Sequence, residues 1–213
     1  MGFDLQRGLM LLIPLVLSLS VHEYAHAWSA WRLGDDTAER SGRLTLNPIA
    51  HVDPIGTLLL PLLGIPFGWA RPVPIDPSRF RRGVKMSTGV ALTAAAGPIS
   101  NLVLAVLATT AIALLARLAP QVLAAGGVVE LLQVMVFLNV NLALFNLIPI
   151  PPLDGSRVVD GVMPLRLRPQ WERVAGLAPF LLVAVFIFAG RIIAGPSSFV
   201  LGLLGQLARA IAA

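Results

Sequence analysis

The chain has no cysteine among its 213 residues. That excludes disulfides, thiolate metal ligands and a cysteine nucleophile, so any metal must be held by histidine or carboxylate. Charge is also scarce: 13% of residues are charged against 56% hydrophobic, with a mean hydropathy of +0.81. A soluble domain of this length could not bury so much apolar surface, which points to an integral membrane protein. Acids number 11 against 16 bases, for a net charge of +5. The bases flank apolar runs, where they fix orientation against a bilayer, and no nucleic-acid partner is expected. No soluble domain, repeat, low-complexity tract or long linker is visible.

What the chain does have is long uncharged runs. The run 8–21, extended through Trp31, and the runs 86–116, 131–153, 174–190 and 192–208 predict five spanning helices, since roughly 20 residues cross a ~30 Å hydrocarbon core. The last two are joined by a tight turn at Gly195-Pro196. Residues 1–160 are expected to form the core and residues 161–213 a C-terminal transmembrane hairpin. A cleaved leader is the alternative for the N-terminus, but His22, Glu23 and His26 interrupt the approach to the small residues that imitate a cleavage site.

A sixth uncharged stretch, 54–70, carries Pro54, Pro61 and Pro66 with Gly56, Gly64 and Gly68, and reads as a re-entrant element. If it turns back, 13 of the 16 bases fall on one face, leaving Arg7, Arg117 and Arg191 on the other. The positive-inside rule then places the N-terminus outside and the C-terminus inside, with the loops 32–85 and 154–173 in the cytoplasm. Strand-like pieces at 43–46 and 69–75, separated by Pro and Gly, predict a small sheet dipping into the membrane from the cytoplasmic face.

The chemistry lies in His22-Glu23-Tyr24-Ala25-His26, directly after the first apolar run. On a helix the two histidines share a face, four residues apart, and Glu23 projects beside them. That arrangement fits Zn2+, which takes three protein ligands and keeps a fourth position for water, while a neighbouring carboxylate acts as general base. Glu23 is the candidate base. The third ligand must come from elsewhere, and Asp154 is the other acid beside an apolar helix end. With five spans its helix runs parallel to the first, delivering Asp154 to the same face as the histidines.

Three motifs in order, His22 to His26, Ala96-Gly97-Pro98-Ile99-Ser100-Asn101 and the string Asn146 to Gly155, resemble the site-2 protease family of intramembrane zinc metalloproteases. The resemblance covers roughly residues 8–160. It implies an all-α polytopic membrane protein with a three-helix catalytic core, zinc on His22, His26 and Asp154, and activation by Glu23. Residues 67–73 are similar to the family's membrane-dipping β element, which makes Trp69, Ala70 and Arg71 candidate substrate contacts; Asn146 matches a residue that holds the substrate backbone. A PDZ-like insertion and a CBS-like domain are missing, which suggests a compact member. The implied partners are single-span membrane-protein substrates and the lipid of a bacterial plasma membrane; the oligomeric state is open.

Several residues keep two readings. Asn146 could tie helices together, and Asn101 is either packing glue or an oxyanion donor. His51 is a solvated loop histidine or a transient ligand. The Arg79, Arg81, Arg82 and Lys85 cluster is an anchor for anionic lipid or a contact for an acidic substrate segment. For the whole chain, a non-proteolytic scaffold or an ion-coupled transporter stands beside the hydrolase.

Overall fold

The computed structural model describes residues 5–63 and 68–213, with side chains from Met10 onward. Its principal helices are α1 (Leu5–Arg32), α2 (Met86–Leu118), α3 (Val128–Asn146), α4 (Asp154–Val162), α5 (Arg168–Gly176) and α6 (Ala178–Ala212). Among the described residues, four helices are long and apolar enough to cross a membrane: Met10–Arg32 within α1, and α2, α3 and α6.

Small side chains bring these helices together. Ala91, Ala94, Gly97, Ala105, Ala108 and Ala113 form the buried face of α2, which suits a membrane bundle where packing replaces the hydrophobic effect between helices. Helix α1 packs Leu15 and Leu19 against Leu138 of α3. At the same level Asn139 donates to the Ser18 hydroxyl at 2.8 Å, joining two buried polar side chains across the interface. His26 meets Thr93 and His22 meets Asn101, so α2 runs antiparallel to α1; the Ser18–Asn139 contact, with Asp154 beside the histidines, sets α3 parallel to it. This is the arrangement required for a shared site.

Residues 54–63 and 68–70 lie against each other. Pro54–Leu59 forms a π-helical turn capped by the Asp53 carboxylate, followed by a three-residue helix at Leu60–Leu62. Thr57 Oγ1 then donates to the carbonyl of Trp69 at 2.7 Å, and the Arg71 amide donates to the carbonyl of His51 at 2.9 Å. Departure and return thus lie side by side. Gly64, Pro66 and Phe67 of the expected element fall outside the described residues.

Two expectations need correction. No strand forms among the described residues; residues 68–76 are extended, but their backbone is held by side chains and loop groups, not by a partner strand, so no sheet results. The C-terminal hairpin is likewise replaced by the single 35-residue helix α6, which passes straight through Pro196. Proline removes one donor without forcing a turn, and a membrane helix tolerates that loss within its length. The end of α6 reaches the end of α2, where Arg117 donates to the carbonyl of Ile211 at 3.2 Å. The C-terminal residues therefore lie at the end of the bundle opposite the histidines, not on the same side.

Candidate metal centre

The helical period delivers His22 and His26 to one face of α1, and α2 and α4 close over them. His26 Nδ1 lies 2.7 Å from the carbonyl of Thr93, a group that can only accept, so Nδ1 carries the proton and Nε2 presents its lone pair. His22 Nδ1 lies 2.8 Å from Asn101 Oδ1, which sets the same tautomer. Asn101 thus orients an imidazole through its oxygen, while its Nδ2 is buried without a partner. Such outer partners fix ring orientation at metal sites.

Asp154 arrives as the first residue of α4 after prolines 149, 151 and 152 end the preceding segment. Gly155 lets the chain fold back there, since a Cβ would collide with the backbone of Leu147 and Ile148. The carboxylate Oδ2 then sits 3.2 Å from His22 Nε2 and 3.3 Å from His26 Nε2, with the two Nε2 atoms 3.1 Å apart.

These three side chains form a group that could hold a metal ion. A tetrahedral zinc with bonds of about 2.0–2.2 Å places its ligand atoms about 3.3–3.5 Å apart, close to the triangle observed. The donor set fits as well. With both Nδ1 positions protonated, three acceptors face one another, and Asp154 Oδ2 is buried without a hydrogen-bond donor. A buried triangle of lone pairs calls for a cation.

Glu23 is buried beside this triangle, and its Oε2 accepts from the amide of Val73 at 2.9 Å. No described donor meets Oε1, so that oxygen is free to exchange a proton. The same extended segment is anchored repeatedly: Trp69 through its carbonyl to Thr57, Arg71 through its amide to His51 and through its carbonyl to the buried Arg43. Ala70 packs with Leu15 and Leu19, and Val73 with Ala27, along α1. Trp69, Ala70 and Arg71 are thereby brought to the side of Glu23. Asn146 stands apart, its amide donating to the carbonyl of Leu142 in its own helix at 3.0 Å. His51 is no solvated residue: it is 1% exposed and its Nε2 is bonded to the carbonyl of Thr45 at 2.8 Å.

Gly97 forms the floor over the two imidazoles. A Cβ there would overlap His26 Nε2 and approach His22 Cε1 to 2.6 Å. Gly97→Ala is therefore expected to displace a ligand atom and to lower zinc retention by at least about tenfold, measured as metal per purified chain. Unchanged metal content would mean the helices can separate there without consequence.

Comparison with known proteins agrees with this geometry. The model for peptidase family M50 matches residues 114–189, which contain Asn146 and Asp154. The chain is 40% identical over 179 residues to "Putative zinc metalloprotease YwhC" of Bacillus subtilis, covering 83% of this chain and 80% of that one. It is 32% identical over 212 residues to "Putative zinc metalloprotease Rip2" of Mycolicibacterium smegmatis, with 91% and 77% covered, and 34% identical over 181 residues to the protein of that name from Mycobacterium tuberculosis, with 84% and 65% covered. No solved structure matches. With relatives of this identity spanning most of both chains, and with the three expected motifs in their order, the chain belongs to peptidase family M50, the site-2 proteases.

Proposed function

We propose that this membrane metalloprotease is an intramembrane zinc endopeptidase, with His22, His26 and Asp154 as ligands and Glu23 as general base, hydrolysing peptide bonds within or near the transmembrane segments of single-span proteins. The observation that carries the reading is the buried triangle of two Nε2 atoms and one orphaned carboxylate oxygen beside Glu23. Bound zinc supplies a Lewis acid that makes water a nucleophile near neutral pH. Asn101 and Thr93 keep the imidazoles in the ligating tautomer. The Val73 amide fixes Glu23 Oε2, which leaves Oε1 to take the proton of the attacking water and return it to the departing nitrogen as the C–N bond breaks.

A substrate helix hides its carbonyls in its own hydrogen bonds and must be unwound first. The extended segment 69–73 is suited to that task by strand addition, with Trp69, Ala70 and Arg71 in contact. Its odd-numbered residues are engaged toward the protein, so Ala70, Pro72 and Pro74 face the other edge. Pro72 and Pro74 lack N–H groups and are exposed, so on that edge they offer an added strand acceptors only. Asn146 would meet the substrate backbone once its amide leaves Leu142.

Reconstituted with a tagged single-span reporter, the protein is expected to yield products whose new termini map inside the hydrophobic segment and vanish with a zinc chelator. Cuts confined to soluble flanks would sink the intramembrane reading, and a complete lack of cleavage with zinc bound would favour the scaffold. We place the site toward the cytoplasm on the positive-inside rule. A lone cysteine at position 81, in this cysteine-free chain, should label from the cytoplasmic side; labelling from outside would invert the orientation.

A further inference from the structure

At the end of the bundle away from the histidines, α2, α3 and α6 leave a groove of about 220 Å³ between them. Ile112, Val136 and Leu204 make it apolar, Gly205 gives it depth, and Thr109 and Gln133 are its polar members. The Thr109 hydroxyl is buried and has no hydrogen-bond partner. Two arginines stand at the rim. Arg209 folds back along α6 so that its Nη1 lies 3.7 Å from where a Cβ on Gly205 would sit, and Arg117 reaches the carbonyl of Ile211. Neither forms an ion pair among the described residues. Glu130, in the first turn of α3, is instead turned toward Gly126.

Depth decides what can enter. Helix α2 has 33 residues and is about 50 Å long, more than the ~30 Å hydrocarbon core, so Arg117 at its end reaches the headgroup layer while Thr109 and Ile112 remain below it. An α-helix, about 10–12 Å across with its side chains, has more bulk in a single turn than the groove's volume of about 220 Å³. Water suits it poorly, because the lining is apolar and the volume exceeds that of a bridging molecule. A slender hydrocarbon chain fits.

We propose that the groove binds an anionic phospholipid of the leaflet at that end. An acyl chain lies against Ile112, Val136 and Leu204, the phosphate meets Arg117 and Arg209, and the Thr109 hydroxyl and Gln133 amide donate to the ester carbonyls. The charges are complementary, and the lipid supplies the acceptor that the buried Thr109 hydroxyl lacks. This site is separate from the metal centre and does not depend on proteolysis.

The test is native mass spectrometry of the full chain in mild detergent, titrated with phosphatidylglycerol or phosphatidylcholine. The wild type should retain one phosphatidylglycerol under conditions that strip phosphatidylcholine. The double variant Arg117→Gln/Arg209→Gln should lose this preference by about thirtyfold, at roughly the value of two interfacial charges. Gly205→Leu, which fills the groove from α6, should lose the bound lipid of either kind. Zinc content equal to wild type in each variant shows that the fold is kept. Equal binding of both lipids by the wild type, or lipid retained in Gly205→Leu, overturns the proposal as ordinary surface lipid. A preference lost instead in Arg81→Gln/Arg82→Gln also overturns it and moves the headgroup site to the other face. A dimer mass abolished by Gly205→Leu overturns it too, assigning the groove to a second copy.

Discussion

Glu23→Gln is expected to lower peptide hydrolysis by about 10²–10⁴-fold while leaving one zinc per chain. The change keeps the side chain's size and retains an acceptor for the Val73 amide, so the extended segment at 69–73 should stay in place. It removes the group that accepts the proton, and it touches none of the three ligand atoms. The readout is a pair: metal content by elemental analysis and cleavage of a single-span reporter. Wild-type cleavage by the mutant would remove Glu23 from the chemistry, whereas loss of zinc together with activity would assign it a structural role at the site.

Asp154→Ala should have the opposite signature, with zinc falling from about one per chain toward zero and activity lost along with it. The two imidazoles would remain oriented by Asn101 and Thr93, but the carboxylate that completes the triangle and offsets the ion's charge would be gone. Outer-shell partners alone are worth about 10–100-fold in metal affinity, and a direct ligand should exceed that. Zinc unchanged in Asp154→Ala would mean that the ion sits elsewhere. His51 is a poor substitute, since it is buried against the carbonyl of Thr45 and holds the chain return through its own backbone.

The histidine pair was legible because an i, i+4 spacing has one meaning on a helix. Asp154 was legible by parity: an odd number of spans from the first helix to the third brings their ends to one face, and this survived the merging of the last two helices into one. The merger itself was not legible. Gly195-Pro196 is turn punctuation in water, but a long apolar helix in a membrane keeps its course through a proline, losing one backbone bond. The strand-like pieces misled for a related reason. Alternation and prolines predicted strands, but a strand needs a partner, and here Thr57, Arg43, His51 and Glu23 hold the segment at 69–73 instead.

Residue order thus carried the membrane setting, the metal-binding residue types, the candidate base and the relation of the first and third helices, because each follows from local periodicity, charge or chain parity. Folding supplied the rest: Asn101 as the orienting partner of His22, the Thr93 carbonyl behind His26, the Val73 amide on Glu23 and the Gly97 floor. Two of these four act through backbone groups, not side chains, and all of them join positions tens of residues apart. No local pattern encodes such contacts; they exist once helix packing has brought the chain together.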